Sequence, residues 1–388
     1  MNPETCTVLK GRRIEFFSHP SEPDWGYEKP QTDSFAVIHP KNEIQGRKYP
    51  LYVVLHSAGH DLYTTVHCLY NEGDHDIYHT PDDTFALIPD CYANADKDWW
   101  WGCKPDEPYP GFDEGLRMKP VEKRVMSTVF WTMDNYCIDR ERVYAVGNSM
   151  GGSGALGIAY CRGDVFAAVK VNVPAGVSHL SRRCALECDR PEGFRIPDPP
   201  VTVDYSAQND SWSFGHDILF KGTQKYRYPL MEFFGPFGHQ NNNSELIKFN
   251  DLIHAFDIGS VSLHESYPVF TNASTDDPIP WPDKLDSEAS GQVNGFFRWR
   301  NVRDDKDVLE IELRLLRQVE WESRMTFPQE STADVTLRRR QNFILSPGEN
   351  FSWEFRGEKG VSKADDFGVP TIFSLKITDV PAVLTLKK

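Results

Sequence analysis

Apolar residues dominate several short stretches in the first two thirds of the chain. Residues 50–56 form an uninterrupted run, and residues 85–89 and 166–173 are also rich in apolar residues, as is typical of strands buried within a sheet. Residues 62–70 and 120–137 instead space their apolar side chains as an amphipathic helix does. Strands that alternate with helices predict an α/β fold built on a doubly wound, mostly parallel sheet.

Weaker patterns complete this first region. Strands are also predicted at residues 7–17, 34–39, 201–205 and 228–234, and a helix is predicted at residues 244–256. Residues 175–199 are polar and contain Cys and Pro. We expect them to form a loop that caps a cleft.

The composition changes at residues 276–291, which are rich in Pro, Asp and Ser and are predicted to be a linker. Beyond it, polar and apolar residues alternate as they do in half-buried strands. The alternating segments are residues 296–302, 308–316, 334–343, 351–355 and 371–377. We therefore predict a catalytic α/β domain at residues 1–275 and a small, sandwich-like, β-rich domain at residues 292–388.

A serine flanked by glycines follows the apolar stretch at residues 142–148. The sequence from Gly147 to Gly151 fits G-x-S-x-G, with Ser149 at its centre, and a helix-forming run follows. A strand that reverses into a helix within a few residues holds the serine in a strained turn and needs small neighbours. Ser149 is therefore the predicted nucleophile, and the Met150 N–H is a predicted oxyanion donor.

A serine nucleophile needs a base and an acid, which follow it in the order Ser, Asp or Glu, His in doubly wound hydrolases. Asp210 lies in the loop after strand 201–205, and His239 lies in the loop after strand 228–234. We predict these two as acid and base. Asp204 ranks second as the acid because it lies inside the strand. His254 and His264 compete with His239, but they fall in a helix and in an extended segment.

The loop after residues 50–56 is the expected source of the second oxyanion donor. The backbone N–H of Ser57 or Ala58 is the candidate, because small side chains let the backbone approach a substrate carbonyl. His56 and the three tryptophans Trp99, Trp100 and Trp101 are candidates for substrate contact. An aromatic platform for a phenolic ring or a sugar is one interpretation of the tryptophans. Packing of their loop against the core is the other.

The charge balance limits the partners. The chain has 42 basic and 57 acidic side chains and a net charge of −15, which disfavours a nucleic acid. No apolar run reaches the roughly 18 residues of a membrane helix, and no signal peptide opens the sequence. We expect a protein without a membrane partner, either cytoplasmic or exported with its leader removed.

The sequence predicts neither a metal site nor a disulfide scaffold. The eight cysteines include two close pairs, Cys91 with Cys103 and Cys184 with Cys188, for which buried free thiols and bridges both remain open. His75 and His79 have no supporting Cys/His cluster, so a solvated loop is favoured there over a metal site. No metal or organic cofactor is expected.

These motifs together resemble the feruloyl esterase and acetyl xylan esterase branch of the α/β-hydrolases, to which the polyhydroxyalkanoate depolymerases are similar. The resemblance is carried by residues 55–59 (Leu-His-Ser-Ala-Gly), the elbow at residues 147–152 and the Gly238-His239 pair, within residues 30–260. It implies a serine esterase that acts on ester decorations of plant polysaccharide, with hydroxycinnamoyl esters preferred. Ser57 departs from the glycine that relatives commonly have after the histidine.

Three alternatives stay open at the level of sequence. The first is a deacetylase similar to acetyl xylan esterases. The second is a peptidase resembling the prolyl oligopeptidases, although the chain has no room for their large propeller domain. The third is a carbohydrate-binding protein without catalytic activity on the same scaffold, against which the intact Ser149, Asp210 and His239 count.

Overall fold

A ten-stranded sheet forms the centre of the structure, which is a computed structural model. The structure describes residues 1–69, 75–91, 99–100, 118–187, 189–190, 194, 196–239, 252–281 and 288–388. Among them, no helix combines the length and the apolar character needed to cross a membrane.

The strand order of the central sheet is β1-β2-β3-β5-β4-β6-β7-β8-β9-β11. The six strands from β5 to β9 in this order are parallel, and the remaining neighbours pair antiparallel. The strands are β1 Thr5–Leu9, β2 Arg12–Pro20, β3 Thr32–Ile38, β4 Tyr49–Leu55, β5 Phe85–Pro89, β6 Ile138–Asn148, β7 Ala168–Asn172, β8 Val201–Ala207, β9 Leu230–Gly235 and β11 Gly291–Val293. The prediction of an α/β fold on a mostly parallel sheet agrees with this mixed sheet.

Helices and turns cover both faces of the sheet. Among the described residues, the helices are Leu62–Cys68, Pro120–Asn135, Met150–Cys161, Val177–Arg183 and His216–Tyr226, and short 3₁₀ turns lie at Pro23–Trp25, Asp76–Tyr78, Leu252–His254, Ile258–Ser260 and Gln318–Glu320. One face packs against helices 120–135 and 150–161. The other face packs against helix 62–68 and residues 252–261. The parallel strands thus lie between two packed layers.

The central strands form where the apolar runs predict them. Every residue of β4 and of β5 is buried, as the uninterrupted apolar pattern requires. Residues 7–17 form parts of two strands rather than one, because Lys10 and Gly11 both adopt a positive φ and reverse the chain. The helix 177–183 replaces part of the predicted loop at residues 175–199, and the predicted helix 244–256 lies mostly outside the described residues.

The remaining strands form two antiparallel sheets, ordered β10-β14-β17 and β12-β13-β18-β15-β16. Their strands are β10 Tyr267–Thr271, β12 Phe297–Asp304, β13 Val308–Leu315, β14 Glu330–Arg338, β15 Asn350–Phe355, β16 Glu358–Lys363, β17 Thr371–Thr378 and β18 Ala382–Lys387. Strands cross the predicted domain boundary in both directions, since β10 joins β14 and β11 joins β9. One hydrophobic core also continues from the central sheet into these sheets. The separate C-terminal domain therefore stays a prediction.

Candidate active site

Ser149 occupies a sharp turn between β6 and the helix that begins at Met150. Its backbone has φ 54° and ψ −118°, a conformation that costs free energy for a residue with a side chain. A Cβ atom on Gly151 would lie 1.9 Å from the Leu55 carbonyl oxygen, and one on Gly147 would lie 2.2 Å from the Gly151 carbonyl oxygen. Both glycines of the motif are therefore required by the packing of this turn.

Ser149, His239 and Asp210 form a hydrogen-bonded series. The Ser149 Oγ lies 2.7 Å from His239 Nε2, and His239 Nδ1 donates to Asp210 Oδ2 over 2.6 Å. The Asp210 side chain is buried, whereas a third of the His239 side chain is exposed to the cleft. Because the three residues follow the carboxyl ends of β6, β8 and β9, the parallel sheet brings them to one edge.

The loop after β8 fixes the Asp210 carboxylate. Its second oxygen, Oδ1, accepts the Trp212 backbone N–H over 2.8 Å. The Asp210 carbonyl accepts both the N–H and the hydroxyl of Ser213. These bonds hold one carboxylate oxygen toward the backbone, so that the other is presented to His239.

Asp204, the second candidate for the acid, lies elsewhere and has other partners. It is fully buried inside β8 and accepts a hydrogen bond from the Ser206 hydroxyl at 2.9 Å. Its other oxygen lies 3.2 Å from His216 Nε2, and the Ser206 Oγ lies 2.6 Å from the same nitrogen. The carboxylate beside His239 is that of Asp210, which follows the strand instead of lying within it.

Glu232 completes a buried cluster with Asp204, Ser206 and His216. Of these four residues, only Asp204 is a site candidate in the sequence. Glu232 lies on β9, where it pairs in register with Asp204 of the neighbouring strand β8. Burial and the adjacent Asp204 carboxylate raise the pKa of Glu232 well above its ordinary value. The sequence signal for this cluster is the alternation of Asp204 and Ser206 within an otherwise apolar strand.

Asp204, His216 and Glu232 are also the group of described residues whose ligand atoms lie close enough together to hold a metal ion. Ser206 bridges Asp204 and His216, and the other ring nitrogen of His216 donates to the Ser213 carbonyl over 2.6 Å. Glu232 Oε1 is buried without a hydrogen-bond partner among the described residues. The raised pKa of Glu232 favours a protonated carboxyl group over a metal ligand, because metal ligands must be deprotonated.

The two amides predicted for the second oxyanion donor differ in their partners. The Ser57 N–H donates to the Tyr78 hydroxyl over 2.8 Å, so it does not point to the cleft. The prediction of Ser57 as an oxyanion donor is therefore wrong. The Ser57 side chain donates to the Asn148 carbonyl and accepts from the Asn148 side-chain amide. A serine in place of glycine therefore ties this loop to the elbow strand. Ala58 is exposed and lines the cleft beside Ser149.

His56 and Trp100 are buried and make contacts within the protein rather than with the cleft. His56 Nε2 lies 3.2 Å from Asp90 Oδ1, and its carbonyl accepts the Trp100 indole N–H over 2.9 Å. Trp100 packs so closely on helix 150–161 that a Cβ atom on Gly154 would lie 2.2 Å from the Trp100 Cβ. Their predicted role in substrate contact is wrong for these two residues because neither has a free surface.

Trp99 does line the cleft, which has a volume of about 1410 Å³ and contains Ser149 and His239 in its wall. Its ring lies 6.0 Å from that of Trp212, which is half-exposed. Trp101, Cys103 and Cys188 lie outside the described residues. Cys91 and Cys184 are both buried.

The competing histidines take other positions. His264 forms an ion pair with Glu141 on the surface, and His254 lies in the cleft wall on a short 3₁₀ turn. The ring of His75 stacks on Tyr78, and His79 Nε2 donates to the Cys68 carbonyl over 2.8 Å. Of these histidines, none replaces His239 in its hydrogen bond to Ser149.

No protein-family model and no curated protein matches the chain. Solved structures similar to it include an S-formylglutathione hydrolase from Agrobacterium tumefaciens, with 16% identity over 62% of this chain and 92% of that chain and a TM-score of 0.41. A ferulic acid esterase from Anaeromyces mucronatus has 18% identity over 61% and 88%, with a TM-score of 0.40. An acetyl xylan esterase from Paenibacillus sp. R4 has 13% identity over 65% and 88%, with a TM-score of 0.43.

Two of these three structures, the ferulic acid esterase and the acetyl xylan esterase, carry the names of classes that the sequence motifs resemble. Their TM-scores lie below 0.5 and their identities below 25%, so they decide neither the reaction nor the substrate. The chemistry of the site depends on the residues and distances given above.

Proposed function

We propose that this protein is a serine carboxylic-ester hydrolase. The observation that carries the proposal is the series from Ser149 Oγ through both ring nitrogens of His239 to Asp210. A carboxylate on Nδ1 fixes the tautomer in which Nε2 accepts a proton, which is what a serine nucleophile requires. The strained turn that presents Ser149 to the cleft supports the same role.

The proposed reaction proceeds in two steps. Ser149 Oγ attacks the ester carbonyl carbon as its proton moves to His239 Nε2, and the Met150 and Ala58 N–H groups hold the resulting oxyanion. His239 then returns the proton to the leaving alcohol as the acyl–serine ester forms. Water, deprotonated by His239, then attacks that ester, and His239 returns the proton to Ser149 Oγ as the acid leaves. The scheme uses protein groups and water alone.

We further propose that the substrates are ester decorations of plant polysaccharide, with hydroxycinnamoyl esters preferred. The neighbouring rings of Trp99 and Trp212 in the cleft wall support an aromatic or sugar-bearing substrate, because both kinds of group stack on tryptophan. The acidic surface is compatible with an uncharged ester.

Two measurements on the same preparation test the proposal. A fluorophosphonate probe should label the wild-type protein covalently and should not label Ser149→Ala. Ser206→Ala is the matched control, because Ser206 also bonds a histidine but is buried, and it should be labelled like the wild type. Absence of labelling in the wild type would favour a carbohydrate-binding protein without catalytic activity.

Turnover of four substrates then separates the hydrolase classes. Methyl ferulate should be hydrolysed faster than 4-nitrophenyl acetate, whereas a wide preference for acetyl esters would assign the protein as a deacetylase. Release of 4-nitroaniline from aminoacyl anilides without ester turnover would assign it as a peptidase. Birchwood xylan that carries acetyl groups provides the polymeric substrate for the same comparison.

A further inference from the structure

A row of polar side chains lies in the cleft below Ser149, on the face of the sheet opposite helix 150–161. Asn172 and Tyr205 are directly paired in register on β7 and β8. Lys170 lies two residues before Asn172 on the same face of β7. All three line the cleft that contains Ser149, and the proposed mechanism uses none of their side chains.

Two of these side chains lack partners that their burial calls for. Asn172 Oδ1 and the Tyr205 hydroxyl oxygen are both buried without a hydrogen-bond partner among the residues that the structure describes. Tyr205 as a whole is 3% exposed. A buried polar atom left unpaired costs about 1–3 kcal/mol, so two of them side by side facing one cleft call for a ligand that supplies the missing bonds.

Lys170 brings a positive charge to the same place. Its Nζ makes one long hydrogen bond, of 3.5 Å, to the Ile253 carbonyl, and within the described part of the chain it forms no ion pair. Burial lowers the pKa of Lys170 to about 8, while the carboxylates of Asp257 and Asp76 act in the opposite direction. At neutral pH the ammonium is therefore mostly charged and has donors to spare.

We propose that Lys170, Asn172 and Tyr205 form a subsite that binds an uncharged, hydroxyl-bearing part of the ester. A hydroxyl group both donates and accepts, so it can donate to Asn172 Oδ1 and accept from the Lys170 ammonium or from Tyr205. An anionic group would fit less well, because Asp76 and Asp257 lie near Lys170. This inference rests on the proposed esterase function, because it takes the ligand to be an ester. The binding itself needs no catalysis.

The register sets the distance between this subsite and the nucleophile. Asn148, next to Ser149, pairs with Asn172, and Val146 pairs with Lys170. Two residues along a strand span about 7 Å, so the Lys170 backbone lies about 7 Å below the level of the elbow. The hydroxyl can therefore belong to a phenolic acyl group or to a sugar ring. The chemistry recognised is the same in both cases.

Binding to the Ser149→Ala protein tests the subsite without depending on hydrolysis. Dissociation constants are measured by calorimetry for two pairs that differ in hydroxyl groups. Methyl 4-hydroxycinnamate is compared with methyl cinnamate, and an acetylated methyl xyloside with cyclohexyl acetate. We expect the hydroxylated member of one pair to bind at least about tenfold more tightly, and that pair identifies the source of the hydroxyl.

Tyr205→Phe and Lys170→Met, each added to Ser149→Ala, should reduce this preference about tenfold and should leave the binding of the unhydroxylated member nearly unchanged. Tyr160→Phe is the matched control, because its hydroxyl is also buried but lies against Thr202 away from the cleft. Thermal unfolding checks that each variant is folded. Should Lys170→Met unfold, Tyr205→Phe alone carries the test.

Equal binding within both pairs, or a preference that neither variant changes, would overturn the subsite. That result would leave the esterase proposal intact if the wild-type protein hydrolyses esters. Conversely, a preference that Tyr205→Phe abolishes would establish the subsite even in a protein that the fluorophosphonate does not label.

Discussion

Two groups of serine, histidine and aspartate lie within a few residues of each other, and only one has the arrangement of a catalytic triad. In the first, Ser149 and Asp210 bond opposite nitrogens of His239. In the second, Ser206 and Asp204 both approach the same nitrogen of His216. Ser149 and His239 of the first group line a cleft. All three residues of the second group are buried.

The difference shows that the presence of serine, histidine and aspartate does not by itself identify a catalytic triad. The partners of the two ring nitrogens of the histidine distinguish the two groups. His216 Nδ1 donates to the Ser213 carbonyl, so Ser206 and the Asp204 carboxylate both approach Nε2. The His216 ring therefore does not stand between a serine and a carboxylate, as the His239 ring does. His216 instead joins β8 to the loop that carries Asp210, through Ser213. The group around His216 therefore helps to hold the loop that carries Asp210 in position.

The largest contrast is expected between the two serines. Ser149→Ala should reduce kcat for ester hydrolysis by about 10⁶, because the proposed nucleophile is lost while substrate binding and the proposed oxyanion donors remain. Ser206→Ala should keep kcat near the wild-type value and lower the free energy of unfolding by about 1–3 kcal/mol, since its partners lose a hydrogen bond. Initial rates and urea unfolding measure both. Similar losses of kcat in the two variants would contradict the distinction.

A smaller contrast is expected between the two aspartates. Asp210→Asn should reduce kcat by about 10⁴, because an amide disfavours the tautomer of His239 that accepts a proton from Ser149. Asp204→Asn should mainly reduce stability, since Asp204 contacts His216 and Ser206 and not His239. If Asp204→Asn is inactive and folded while Asp210→Asn resembles the wild type, the acid has been misassigned.

The smallest effect is expected in the pH dependence of stability. Glu232 has a raised pKa in the folded protein, so the folded state keeps a proton that the unfolded chain releases above about pH 4.3. The free energy of unfolding should therefore fall as pH rises from that value through the raised pKa. Glu232→Gln removes this titration and should flatten the curve measured by urea unfolding.

Glu358→Gln is the control for that experiment, because Glu358 is exposed on an antiparallel hairpin. Its stability curve should follow the wild type. A Glu232→Gln curve that keeps the wild-type slope would mean that Glu232 is already ionised in the folded protein.

The parts of the site that local sequence determines could be predicted. The glycines around Ser149 are needed by the turn itself, and the order of Ser149, Asp210 and His239 follows from the ends of successive parallel strands. The strand β5 begins and ends where its apolar run does. These features follow from short sequence runs and from a general rule of parallel sheets, although Gly151 is also required by its close approach to Leu55 of β4.

Contacts between distant residues explain the failures. The Ser57 amide is occupied by Tyr78, which lies in another segment, and Trp100 is buried because Gly154 leaves it room. The helix His216–Tyr226 was not predicted because its apolar residues are few and polar residues dominate its sequence. The buried cluster required the register of Asp204 with Glu232, which no single segment contains.

The short strand β11 has a practical consequence for anyone who wants the first part of the chain alone. It pairs antiparallel with β9 and thereby occupies the hydrogen-bonding groups along that side of the central sheet. A protein shortened to residues 1–275 would expose the side of β9, whose residues are all buried, and an open strand of this kind recruits other chains. Expression trials should therefore retain residue 293 and the segment leading to it, or expect inclusion bodies.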